Sequence, residues 1–129
     1  MSLTLDEANR MVSAAIAKAK EMGIGQSIAV VDAGGHLLSF NRTEGSMWIA
    51  AHAAQGKAVA SCSMGFSSAD IPGDSPVIQS IFTALGGKMV AAQGALPILR
   101  DGQIAGAIGG SGGTSQEDED CARAGLATL

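Results

Sequence analysis

Gly94-Ala95-Leu96-Pro97-Ile98-Leu99-Arg100-Asp101-Gly102-Gln103-Ile104-Ala105-Gly106-Ala107-Ile108-Gly109-Gly110-Ser111-Gly112-Gly113-Thr114 is the stretch on which the fold turns. Two extended runs, Ala95–Arg100 and Gln103–Gly109, flank Asp101-Gly102. A two-residue Asp-Gly loop suits a type I′ turn, whose central residues both take positive φ, so the runs read as an antiparallel hairpin. The glycines beyond it release the chain into a helix. Thr114-x-x-Glu117 opens that helix as a capping box, each side chain satisfying a free N–H of the first turn. The helix is expected over about Ser115–Ala127. Just upstream, Gly86-Gly87 opens a further extended run, Lys88–Ala92, which reads as another strand of the same section.

The rest of the chain completes the pattern. Thr4-x-x-Glu7 is a second capping box, and Ala8, Met11, Val12, Ala15, Ile16 and Ala19 follow at helical spacing. Gly23 suits the left-handed C-cap, which bounds a helix at about Leu5–Met22. Ser27–Asp32 and His36–Arg42 read as strands joined by the turn Ala33-Gly34-Gly35. Met47–Met64 has no Pro and is rich in Ala, the residue that costs least in a helix. Phe66–Pro76 reads as a loop, and a short helix over Pro76–Leu85 starts with Pro, whose missing N–H is harmless there.

The resulting order is α-β-β-α-α-β-β-β-α, expected as one domain over residues 1–129. Strand runs with internal hairpins, separated by helices, indicate an α+β fold with a five-stranded antiparallel sheet flanked by helices. The alternating β-α rhythm of a doubly wound nucleotide fold is missing.

Composition narrows the function classes. The 129 residues are 47% hydrophobic and carry a net charge of −4, which is too apolar and too weakly charged for a disordered chain. The eight basic residues are scattered, so no cationic surface for nucleic acid is expected. No run approaches the ~20 apolar residues that span a bilayer. The first residues are acidic and lack the long apolar core of a secretion signal. Cys62 and Cys121 have neither disulfide-framework nor CxxC spacing, which fits a reducing, cytoplasmic setting.

Few residues carry chemistry. Trp48, His52, Gln55, Gly56 and Val59 fall on one face of the Ala-rich helix. His52 beside the only Trp is a candidate haem ligand or general acid/base, set against an imidazole merely hydrogen-bonded at a helix surface. Lys57 lies about 140° around the helix from His52, so the two cannot form one site on that helix alone. Its alternatives are a ligand contact or a structural ion pair. His36, after the Gly-Gly turn, is the second candidate axial ligand. Gly110, Ser111, Gly112, Gly113 and Thr114 precede a helix N-terminus and could present N–H groups to an anion. Glu117, Asp118, Glu119 and Asp120 would repel a phosphate there, which favours a carboxylate. Two histidines without HxxxH or HxH spacing make no zinc site, whereas haem needs only one axial ligand.

Together these residues resemble the GlcG/HbpS-like family, which includes the glycolate-operon protein GlcG, the haem-binding protein HbpS and the C-terminal domain of PduO-type proteins. The likeness rests on Val30-Val31-Asp32-Ala33-Gly34-Gly35-His36-Leu37, on Ala54-Gln55-Gly56-Lys57-Ala58, and on Gly94 to Thr114 with Asp118 and Ala124-Gly125-Leu126. It implies a profilin-like fold, homo-oligomeric assembly and, as the best-known activity, haem binding. The departures from the family pattern are His52, near which relatives often carry an acidic or aliphatic residue, Gly110, where the motif usually has Val, and the segment Phe66–Ser80. The leading expectation is a small-ligand-binding protein that takes haem, with no other cofactor required. The alternative is a cofactor-independent tautomerase, lyase or hydrolase acting on a small carboxylate or aromatic catabolic intermediate. There His52 would be the acid/base, and the loop 110–114 would orient the substrate. The third reading is an oligomeric accessory protein without chemistry.

Overall fold

The computed structural model describes residues 2–129. Its helices are α1 (Leu5–Met22), α2 (Trp48–Met64), α3 (Pro76–Ala84) and α4 (Ser115–Leu126), with one 3-10 turn at Ser68–Asp70. Its strands are β1 (Ser27–Asp32), β2 (Leu37–Arg42), β3 (Ala95–Arg100) and β4 (Gln103–Ser111). They form one antiparallel sheet in the order β2-β1-β4-β3.

Local chemistry accounts for the element ends. Both capping boxes form: Thr4 Oγ1 accepts from the Glu7 N–H and Thr114 Oγ1 from the Glu117 N–H, while each glutamate accepts from the threonine's own N–H. Gly23 and Gly65 close α1 and α2 in the left-handed region, at φ 71° and 81°. Asp101 and Gly102 turn the β3–β4 hairpin at φ 52° and 76°, the two positive values a type I′ turn requires.

The α+β class and the antiparallel sheet hold, but the sheet has four strands, not five. Lys88–Ala92 forms no strand, and the order becomes α-β-β-α-α-β-β-α. The segment lies on α2 instead. The Val90 N–H donates to the Gly56 carbonyl at 3.1 Å, and a Cβ on Gly56 would sit 2.5 Å from Val90 Cγ2. The backbone of 88–92 thus follows a helix groove opened by a glycine. Pro97 has no N–H to donate and lies in β3, which becomes the sheet edge, where proline is tolerated. β4 also runs two residues further than expected, because Ser111 and Gly110 pair with Ser27 and Ile28 of β1.

Three layers result. α1 and α4 cover one face, where Met11, Val12 and Ala15 pack with Ile28, Val30, Ile98, Ile108 and Cys121. α2 covers the other, where Ala58 and Cys62 meet Val31 and Ala107. Alanine and glycine let α2 come very close to the sheet. A Cβ on Gly109 would lie 2.4 Å from the Ala54 carbonyl oxygen and 3.1 Å from the Ala58 nitrogen. Both are backbone atoms and cannot swing away, so Gly109→Ala should push α2 off β4 and cost about 1–3 kcal/mol, measured by chemical denaturation. An unchanged midpoint would contradict this tight contact.

Cys121 sits fully buried in the other layer. Burial, then the Asp118 carboxylate, push its thiol from an ordinary 9.0 up to about 11. A thiol kept neutral further in the fold than in the unfolded chain contributes stability that is complete below pH 9. That stability is lost as pH rises toward 11. Urea midpoints between pH 8 and 11 should therefore fall more steeply for the wild type than for Cys121→Ala.

Candidate functional site

α2 does not reach across β2, and a cleft of about 650 Å3 opens beside it. Val31, Gly35 and Leu37 of the β1–β2 hairpin form one side. Ile49, His52, Ala53, Gln55, Gly56 and Val59 of α2 form another, and Gly87, Lys88 and Val90 close the third. The helical face drawn from sequence spacing is the face that lines the cleft, because positions three and four apart stack on one side of a helix. Trp48 stands just outside the lining. Its ring meets the His52 ring edge-on, with centroids 5.8 Å apart and planes at 89°. Trp48 is 70% exposed, and among the described residues His52 takes no hydrogen bond or ion pair. The imidazole nitrogens are therefore available to a ligand.

A second cavity of about 370 Å3 shares Gly35, Val59 and Lys88 with the first. Its wall includes His36, Cys62 and Met89. The His36 side chain is 82% exposed, with Nδ1 3.3 Å from Asp32 Oδ1. Asp32 organises the turn: its carboxylate accepts from the N–H groups of Gly34 and His36 at 2.9 and 3.0 Å. Partial burial works to raise its pKa, but those two N–H donors and His36 outweigh it and hold the carboxyl below its usual range. Cys62 is buried, its Sγ 3.2 and 3.4 Å from the carbonyls of Asp32 and Ala33. Burial raises its thiol pKa, so it is a poor nucleophile at neutral pH.

Lys57 lies on the far side of α2 and is 5% exposed. Its Nζ donates to Asp118 Oδ2 and to the Gly110 carbonyl, both at 3.1 Å. Asp118 Oδ1 accepts from the Gln26 side chain at 2.9 Å and from the Gly113 N–H at 2.8 Å. The glycine-rich turn before α4 thus holds a carboxylate, and that carboxylate is the chain's own Asp118. Ser111 is buried at the end of β4, Gly112 turns at φ 130°, and Thr114 caps α4. The residues read from sequence as one ligand-binding set therefore divide in two. His52 lines the cleft with Trp48 just outside it, while Lys57 and Gly110–Thr114 surround Asp118 away from it.

Sequence reasoning passed over Lys88, Gly35, Leu37 and Ile49 as cleft residues. Ile49 is three residues from His52 on α2 and was legible from helical spacing, whereas Gly35 and Leu37 arrive with the β1–β2 hairpin and Lys88 with the segment that docks at Gly56, which no spacing along the chain signals. Among the described residues no group of three His, Cys, Asp or Glu could hold a metal ion, and no helix is long and apolar enough to cross a membrane.

Residues 3–127 match the family described as haem-degrading protein, HbpS-like. An uncharacterised 15.0 kDa protein from the dhaT-dhaS intergenic region of Citrobacter freundii is 30% identical over 122 residues, 91% of this chain and 84% of the relative. Streptomyces reticuli HbpS, solved in a doubly substituted form, is 28% identical with a TM-score of 0.89, covering 100% of this chain and 88% of that one. A PduOC:haem complex shares the fold at 24% identity and a TM-score of 0.88, covering 100% of this chain and 96% of that one.

The buried pair yields a direct test. Lys57→Met leaves the Asp118 charge without its cation and should cost about 3–5 kcal/mol. Adding Asp118→Asn removes that charge yet keeps an acceptor for Gln26 and Gly113, so the double variant should recover more than half of the loss. Denaturation of all four members of the cycle reads this coupling. Additive losses would contradict it.

Proposed function

Because the chain belongs to the HbpS-like family, we propose that it binds haem, or a similarly flat apolar ligand, in the cleft between α2 and the β1–β2 hairpin. The observation that carries this reading is an imidazole, His52, that among the described residues makes no hydrogen bond or ion pair, at the wall of a largely apolar cleft of about 650 Å3. A cleft of that size falls within the usual range for small-molecule sites, about 300–1,000 Å3. Val31, Leu37, Ile49, Val59 and Val90 supply apolar walls for a macrocycle, and a neutral imidazole is a suitable axial donor. Bound haem supplies a redox-active iron. His52 would hold the iron through a ring nitrogen, with the edge of Trp48 beside it, and Val31, Val59 and Val90 would line the apolar wall.

In this reading Lys57 and Gly110–Thr114 hold α2 to β4 and α4 and do not touch the ligand. His36 is the lesser axial candidate, since Asp32 already engages it. The enzymatic alternative gains nothing from the geometry, because no described carboxylate orients His52 as an acid–base pair requires. The profilin-like label and a cytoplasmic setting, where Cys62 and Cys121 stay free, belong to the same proposal. So does homo-oligomeric assembly, which the exposed apolar residues Val77, Ile81 and Leu85 on and beside α3 favour.

Visible titration with haem tests the reading. The wild type should show a saturable Soret shift at one haem per chain. His52→Ala should lose the ligated spectrum, and His36→Ala should keep it. Weak, unsaturable binding that ignores both substitutions would overturn the proposal.

A further inference from the structure

The cleft and its neighbour adjoin. They share Gly35, Val59 and Lys88, with His52 lining the first and His36 the second. Lys88 is the cation common to both, and no Asp or Glu lines either cavity, although the chain carries 12 acidic residues against 8 basic. Among the described residues Lys88 enters no ion pair.

Its position is held by the backbone on both sides. Gly86 and Gly87 turn the chain at φ 74° and 71°, a left-handed pair that side chains would strain. Immediately after it, Met89 is buried against Ile71 and Ala60, and the Val90 N–H is tied to Gly56 of α2. The lysine is therefore set at the seam of the two cavities by anchored neighbours, and its charge is left unmatched.

We propose that Lys88 selects ligands bearing a carboxylate, pairing with that group at the seam while the apolar body of the ligand lies against Gly35 and Val59. The proposal rests on the haem-type reading of the cleft and deepens it. It assigns the cleft to amphiphilic anions and makes Lys88, which the axial role does not require, the residue that reads the acid group.

Metal-free protoporphyrin IX and its dimethyl ester separate this pairing from axial ligation. Both can be titrated through quenching of Trp48, the only Trp, in wild type, Lys88→Gln and Lys88→Arg. The wild type should prefer the diacid by roughly fivefold, the upper range for one solvent-exposed ion pair. That preference should shrink with added salt. Lys88→Gln should bring the ratio near unity without weakening the ester, and Lys88→Arg should keep it. An acid-to-ester preference unchanged in Lys88→Gln would overturn the role of Lys88 and leave the haem reading standing. Failure of the wild type to bind haem or either porphyrin would overturn both.

Discussion

The contact of α2 with β4 governs the rest of the molecule. Gly109 offers no side chain where Ala54 and Ala58 press down, so helix and sheet meet almost backbone to backbone. Such proximity leaves little room for apolar side chains, and hence little hydrophobic area to hold the layers together. A buried charge completes the attachment. Lys57 reaches from α2 to the Gly110 carbonyl and to Asp118 of α4, and Asp118 in turn holds Gln26 and the Gly113 N–H. Buried ion pairs are weak sources of net stability but strong constraints on geometry once every member is satisfied. Here the pair fixes how α2 lies on the sheet, and so where the opposite face of α2 points.

That opposite face makes the cleft. A helix clamped over β4 and β1 leaves the α2 side of β2 uncovered, with Leu37 half exposed beside Ile49. The segment after α3 then closes the gap by docking at Gly56 rather than by adding to the sheet. The same glycine that costs helix stability lets Val90 approach, and with it Lys88 arrives at the cavity mouth. Binding surface and scaffold are therefore two sides of one helix. His52 and Lys57 divide those roles because five residues turn the helix by about 140°.

Local chemistry made most of the fold legible. Capping boxes at Thr4 and Thr114, left-handed glycines at 23 and 65, and Asp101-Gly102 are short-range signals whose energetics need no partner. Lys88–Ala92 was misread because its residue pattern suits an extended backbone, and extension alone does not say whether a strand or a helix receives it. The face of Trp48, His52, Gln55, Gly56 and Val59 was readable because helical period is a property of the chain. The turn 110–114 reads from sequence as a place for a ligand's carboxylate; that its Gly113 N–H goes instead to Asp118, four residues past Thr114, was not legible.

Sequence alone thus determined the α+β class, the hairpins, the helix ends and the two sides of α2, since each follows from interactions within a few residues. Tertiary structure decided the number of strands, the partner of Lys57 and the company His52 keeps. Each of those depends on which surfaces meet across long separations in the chain: Val90 with Gly56, Asp118 with Gln26, Leu37 with Ile49. Such meetings are chosen by the packing of the whole core, where a missing Cβ at Gly109 counts for as much as any charged side chain.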